Sequence, residues 1–371
     1  MYLLNKKLIF FYILFMFMHN FIFAKQVSSN VVDDICRDLA TATCSSDNLN
    51  FSKDMLAINN YLKKIDSITD FNEKQAFFSK TQDELVASNA VFLKEAETLM
   101  KDIKEAIIEK IQIEVDEPHR SSMIERIQTV RFDSYSCKNY PADKFADHIA
   151  FYNPNGHVFT VCPKLLFMSH SLSRLAFIMG HEISHSIDPC VLGIKLNGKS
   201  NVKYDPIIKL NTESDYNGLE FYPYASTLSC LRNPKSVNAG KVNSDEVIMT
   251  NLTKFQNQLC FFDQINESFS DWMSVEVFPK VMHKYLGKMS SEQIQAEMKN
   301  ILSQKCQGYR LLYKKYEVHP DIKNRANNLF MASPDVRKIT GCSPNSSEII
   351  YCMPPNKKSF DVYTKKSEGV N

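Results

Sequence analysis

Glycine is scarce, with 10 in 371 residues, and no G-x-G-x-x-G or G-x-S-x-G pattern occurs. A backbone cradle for a dinucleotide and the strained elbow that exposes a serine nucleophile both depend on such glycines. Neither chemistry is expected, and no nucleotide partner is. Charge of one sign is also lacking: 44 Lys+Arg stand against 42 Asp+Glu, so nothing draws the chain to nucleic acid. Cysteines spaced C-x-x-C are missing as well, which removes the usual thiolate zinc site. What is present, 44% hydrophobic and 23% charged residues, is the composition of a globular protein large enough for a substantial core.

Lys6 and Lys7 precede an apolar run from Leu8 to Ala24 that ends in Ile-Phe-Ala. This is the grammar of a signal peptide over residues 1–24, and the run is shorter than the roughly 20 apolar residues that span a bilayer. The expectation is an exported protein, secreted or periplasmic, with membrane contact only if this segment is retained as an anchor. Ten cysteines (36, 44, 137, 162, 190, 230, 260, 306, 342 and 352) follow it. Their even number fits up to five disulfides in an oxidising compartment, with the pairing unreadable.

Past the leader, Ser52 to Val115 is mostly helical by pattern, with Leu85, Phe92, Leu99, Ile103 and Ile107 near a 3.6 period. Residues 25–117 form a helical lobe in this reading, and Glu117-Pro118 marks its boundary with a catalytic domain over 118–352. Ile149 to Gly156 and His157 to Val161 read as two short strands around a Pro-Asn-Gly turn. An apolar helix from Ser171 to Ile187 is stopped by Asp188-Pro189. Residues 193–220 and 232–246 read as polar loops. Further helices fit 247–278, ending at Pro279, and 290–316. The Lys-rich tail, 353–371, is expected to be loose. The fold class is mostly α with a small β-hairpin or sheet, an α+β arrangement around one functional helix.

That helix contains His181-Glu182-Ile-Ser-His185, the pattern H-E-x-x-H. Histidines four apart project from one helical face with the bite that a single Zn²⁺ requires. Glu182 lies about 100° round the helix, where it reaches a water on the metal rather than the metal itself. Given 9 His, a chance match is expected about once in eighty such chains. Charged residues inside the run Leu175 to Ile187 would be costly without a partner, and a metal supplies one. A catalytic zinc takes a third protein ligand and leaves a fourth position open. Glu267 offers that ligand, with Asp271 one turn on to accept the distal N–H of a ligand histidine. His148, His157, His170 and His283 are the rival third ligands.

The order of these motifs resembles the neprilysin and endothelin-converting enzyme family of zinc metallopeptidases. That family shows an Asn-Ala-[Phe/Tyr] substrate strand, then G-H-E-x-[TS]-H-x-[FI]-D, E-x-x-x-D, and D-x-H with an Arg six residues after that His. Here they stand as Ala150-Phe151-Tyr152, Gly180 to Asp188, Glu267 to Asp271, and Glu317-Val318-His319 with Arg325. The resemblance implies a gluzincin-like endopeptidase with one zinc per chain and peptide substrates. It implies zinc ligands His181, His185 and Glu267, the general base Glu182, and Asp271 as orienting partner. It further implies His319 as the donor to the oxyanion, Arg325 as the holder of a substrate carbonyl, and Ala150-Phe151 as the strand that pairs with the peptide. Ile149, Glu317 and Trp272-Met273-Ser274 depart from the family pattern, which bears on substrate grip more than on metal binding. The likeness spans about residues 145–345, the catalytic part of chains roughly twice as long, so a more open cleft is expected. Two other readings are a secreted zinc-binding recognition protein with little catalysis, and a zinc peptidase of another H-E-x-x-H family.

Overall fold

The structure, a computed structural model, describes residues 35–44, 49–117, 119–168, 170–188, 191, 222–232, 265–303, 306, 322–343 and 351–352. The leader 1–24, the polar loops 193–220 and 233–246, residues 247–264 and 307–316 of two expected helices, and the tail 353–371 lie outside them.

Helices dominate. The N-terminal set is α1 (Leu39–Cys44), α2 (Leu49–Ser67), α3 (Phe71–Ser88), α4 (Ala90–Glu114) and α5 (His119–Thr129). The mostly helical stretch expected over 52–115 is built of three helices, α2, α3 and α4. Asp70 divides the first two by capping α3, its side chain accepting from the Glu73 amide at 2.8 Å. In α4 the buried residues Phe92, Leu93, Ala96, Leu99, Met100, Ile103, Ala106, Ile107 and Ile111 fall three or four apart, so one stripe faces the core.

Three short strands follow: β1 (Arg131–Asp133), β2 (Ala150–Asn153) and β3 (Val158–Val161), with α6 (Ala142–Phe145) between the first two. They form one sheet in the order β1-β3-β2. The hairpin β2–β3 is antiparallel with Tyr152 opposite Phe159, as the Pro-Asn-Gly turn predicts. β1 was not expected; it pairs parallel to β3 with Phe132 beside Phe159, a long-range match that three residues of sequence cannot announce.

The remaining elements among the described residues are a 3-10 turn (Ser136–Asn139), α7 (Pro163–Phe167), α8 (Leu172–Ser184), α9 (Ala225–Arg232), α10 (Ile265–Leu286), α11 (Ser291–Asn300), a π-helical turn (Asn324–Phe330) and α12 (Pro334–Thr340). Ser171 caps α8, its hydroxyl accepting from the Arg174 amide at 3.2 Å. Eleven of the 13 residues of α8 are buried, so this helix is enclosed on nearly every side. Each fully buried Leu, Ile, Phe or Met there contributes about 1.5–3 kcal/mol. Its one buried cation, Arg174, is matched by Asp54 Oδ2 at 3.0 Å, Ser303 Oγ at 2.8 Å and the Asn300 carbonyl at 3.0 Å.

α10 corrects an expectation, because it runs through Pro279 to Leu286 instead of ending there. Proline removes one backbone bond and crowds the preceding turn. On both sides of it, however, Val275, Phe278, Val281 and Met282 are buried, and Lys284 pairs with Asp102 of α4 at 2.8 Å. Tertiary packing outweighs the local cost of the proline.

The buried apolar residues from Ile35 to Cys352 form one core cluster. Four disulfides tie distant segments of it: Cys36–Cys342, Cys44–Cys306, Cys137–Cys162 and Cys230–Cys352. Cys190 and Cys260 lie outside the described residues. No helix among the described residues is long and apolar enough to cross a membrane.

Candidate metal centre

The site forms where α8 and α10 cross. Gly180 permits their approach: a Cβ there would stand 2.6 Å from Ser274 Oγ and 3.2 Å from Ser274 Cα. Ser274 Oγ donates to the Phe177 carbonyl at 2.8 Å, stitching the helices at the same level. Small residues on both sides thus set the separation from which the neighbouring side chains must reach one another.

His181 on α8, His185 at its C-terminal cap and Glu267 in the first turn of α10 converge. His181 Nε2 lies 3.1 Å from Glu267 Oε2 and 3.1 Å from His185 Nε2. His185 Nε2 lies 3.6 Å from the same carboxylate oxygen. Three donors bound to one tetrahedral zinc at 2.0–2.2 Å stand about 3.3–3.6 Å apart. The observed triangle comes within a few tenths of an ångström of that. Glu182 presents a carboxylate oxygen within 4.8 Å of donor atoms on both histidines.

The outer nitrogens of the two rings explain why the inner ones face each other. His181 Nδ1 stands 2.8 Å from Asp271 Oδ1, and His185 Nδ1 stands 2.7 Å from Asp188 Oδ2 and 3.1 Å from Ser270 Oγ. A carboxylate accepts only, so these contacts assign the ring proton to Nδ1 and leave the Nε2 lone pairs directed inward. Two lone pairs and a carboxylate pointed at one another repel unless a cation, proton or metal lies among them. The same field acts on the imidazoles: burial opposes their charged forms, yet Asp271 raises the His181 pKa and Glu267 raises the His185 pKa well above the ordinary value. This donor set fits a divalent metal of the zinc type.

Asp271 is itself fixed by Arg325, whose Nε and Nη2 donate to its two oxygens at 2.7 and 2.5 Å. Both groups are buried. Although burial disfavours the charged form of Asp271, Arg325 and then His181 hold its carboxyl far below the usual carboxylate range. Arg325 Nη1 is buried and has no hydrogen-bond partner among the described residues. The ring of Phe177 lies 5.7 Å beneath the guanidinium.

The substrate strand expected at Ala150-Phe151 runs alongside. The Tyr152 amide donates to Glu182 Oε2 at 2.9 Å, which ties β2 to the expected general base. His319 and Glu317 lie outside the described residues. The rival ligands lie elsewhere. His157 contacts Tyr152 Oη and the Arg126 carbonyl, and His170 contacts Asn89. The His148 ring packs on Phe145 and Phe151, and His283 is exposed on α10. None joins the donor group at His181 and His185.

Two features escaped the sequence reading. Asp188 orients His185; its position three residues on, past the last helical residue, was a usable signal. Also, Gly193-Ile-Lys-Leu-Asn-Gly198-Lys199-Ser200 spells G-x-x-x-x-G-K-[ST], against the expectation of no nucleotide. A phosphate-binding loop needs a strand before it and a helix after it. The nearest preceding described strand, β3, ends at Val161 with α8 in between, and the octapeptide itself lies outside the described residues.

Fold and site together define a disulfide-linked, mostly helical protein with a small sheet and a buried histidine and glutamate cluster suited to a metal ion. No protein-family model matches the chain, and no curated protein matches it.

Proposed function

We propose that this chain is an exported zinc-dependent endopeptidase of the neprilysin type. The observation that carries the reading is the inward convergence of His181 Nε2, His185 Nε2 and Glu267 Oε2, with the carboxylate of Glu182 beside them. His181, His185 and Glu267 would hold one Zn²⁺, a Lewis acid that polarises a scissile carbonyl and acidifies water. Glu182, held by the Tyr152 amide, takes a proton from the attacking water and returns it to the leaving amine. Asp271 and Asp188 keep both imidazoles in the tautomer that presents Nε2. Ala150 and Phe151 pair with the peptide, and the remaining Nη1 donor of Arg325 holds a substrate carbonyl. His319, by its place in the motif order, stabilises the oxyanion, a role whose loss costs roughly 10²–10³ in rate. The disulfides fit export into an oxidising compartment.

The test is zinc content together with hydrolysis of a mixed peptide library, for the wild type and for Glu182→Gln. One zinc per chain in both proteins, with cleavage by the wild type alone, is the expected result. Zinc in both with cleavage by neither points to a recognition protein, and zinc in neither removes the metal centre. Near-wild-type turnover by His319→Ala would instead place the chain in another H-E-x-x-H family.

A further inference from the structure

The bond that holds Glu182 has a chain of others behind it. The Tyr152 amide donates to Glu182 Oε2 at 2.9 Å. The side chain of the same tyrosine ends 2.5 Å from His157 Nδ1, across the hairpin turn. The other ring nitrogen, His157 Nε2, stands 2.7 Å from the Arg126 carbonyl of α5. Arg126 in turn donates from Nε to the Ser186 carbonyl at 2.5 Å, next in the chain to His185. A circuit of hydrogen bonds therefore leaves α8 at Glu182, crosses the hairpin and α5, and returns beside His185.

The ring protonation follows from these partners. A carbonyl only accepts, so His157 carries its proton at Nε2 and offers the Nδ1 lone pair to the Tyr152 hydroxyl. Burial disfavours the imidazolium, and the positive charges of Arg126, Lys104 and Arg131 act in the same direction. The His157 pKa therefore lies below the ordinary value, although the Arg126 carbonyl opposes the shift. At neutral pH the ring is neutral and accepts.

The backbone under this ring is unusual. With φ at +52°, His157 is the one residue other than glycine in the left-handed region among the described residues, and residues with a side chain enter that region sparsely. The turn is fixed from β1 as well: the Arg131 amide donates to the His157 carbonyl at 3.0 Å and Arg131 Nη2 to the Gly156 carbonyl at 3.1 Å. Such a conformation persists where the surroundings over-determine it. The turn itself needs no imidazole, since Pro154-Asn-Gly156 supplies its chemistry.

We infer that His157 and Tyr152 are positioning residues for Glu182. His157 holds the Tyr152 hydroxyl, the anchored tyrosine keeps its own amide against Glu182 Oε2, and a carboxylate tethered at one oxygen presents the other to the attacking water in one direction. The kinetic consequence rests on the peptidase reading, but the amide contact is open to test without cleavage. Misplacing a general base forfeits part of its roughly 10²–10⁴-fold contribution, here about tenfold or more in kcat.

The experiment uses the zinc-loaded protein and two readouts. In the first, kcat and KM on the best peptide of a mixed library are compared for the wild type, Tyr152→Phe, His157→Ala, the double variant and His157→Asn. Both single variants should lose about tenfold or more in kcat, with KM and zinc content within about twofold of the wild type. The double variant should fall no further than the weaker single one, because the two side chains act through one bond. His157→Asn tolerates the left-handed backbone and still offers Tyr152 an acceptor, so it should recover part of the loss. In the second readout the amide of residue 152 is followed by NMR, where a bond to a carboxylate gives a downfield proton that exchanges slowly. It should move upfield and exchange faster in Glu182→Ala, which identifies the bond, and move the same way in His157→Ala. An amide unmoved by His157→Ala, additive losses in the double variant, or zinc lost in step with kcat overturns the positioning role. A wild type that cleaves no peptide refutes the peptidase reading alone, and the amide of His157→Ala then decides whether the pair holds Glu182.

Discussion

Gly180 is where packing and chemistry meet most tightly, and Gly180→Ala probes both. An added Cβ meets Ser274 Oγ at 2.6 Å, its Cβ at 3.1 Å and its Cα at 3.2 Å. Rotating the Ser274 hydroxyl away relieves the first contact and loses its bond to the Phe177 carbonyl, a loss of about 0.5–1.5 kcal/mol. The other two contacts belong to the Cβ and the backbone of α10 and are relieved only if the helices move apart by a few tenths of an ångström. Overpacking of this kind costs about 1–3 kcal/mol, against up to about 1 kcal/mol gained from replacing a mid-helix glycine by alanine. The net expectation is a loss of about 1–3 kcal/mol. The candidate metal centre feels the same movement, because Glu267 and Asp271 ride on α10 while His181 rides on α8. Ligand distances are held to within about 0.2 Å in working sites, so a roughly tenfold weaker zinc affinity is expected. Urea unfolding of the metal-free protein and chelator competition for zinc measure the two effects. The double variant Gly180→Ala/Ser274→Gly, which frees the Oγ and Cβ positions, should recover part of both. Wild-type stability and affinity in Gly180→Ala would refute the argument.

Asp271→Ala strands a buried guanidinium and frees the ring of His181. About 3–5 kcal/mol of stability and 10–100-fold in zinc affinity should go with it, read by denaturant midpoint and chelator competition. A buried cluster on the far side of α10 contributes to the pH response: Lys110 bridges Glu114 and Glu276 at 2.7 Å each, under Tyr224, Tyr351 and Trp272. Burial pushes Glu114 up to about 7, with Lys110 opposing and Glu276 adding to the shift. A raised folded value means that the stabilisation from its proton is complete below the unfolded value near 4.5 and is lost as pH rises to about 7. From pH 5 to pH 8 the wild type should therefore lose on the order of 2–3 kcal/mol that Glu114→Gln retains; equal losses in the two proteins would contradict the assignment. Replacing Cys137 and Cys162 by Ser opens a loop of 25 residues, with an expected cost of about 3.5 kcal/mol. Calorimetry should show this with zinc content unchanged.

The sequence by itself determined the helical periodicity of residues 52–115, the hairpin around Pro154-Asn-Gly and the α8 segment bearing His181, Glu182 and His185. Each is a local pattern in which spacing maps directly onto a face or a turn. Glu267 and Asp271 were legible as candidates through the one-turn spacing that puts both on one side of a helix. Their meeting with His181 was decided only by tertiary structure, since it depends on two helices separated by some 80 residues crossing at Gly180 and Ser274. The pairing of Arg325 with Asp271, the parallel register of β1 and the disulfide partners were closed to the sequence for the same reason. A residue type states which contacts a side chain is able to make, and the fold chooses among them. Pro279 shows the converse: a strong local signal to stop was overruled because Phe278, Val281 and Met282 bury more free energy by continuing the helix than one missing amide costs.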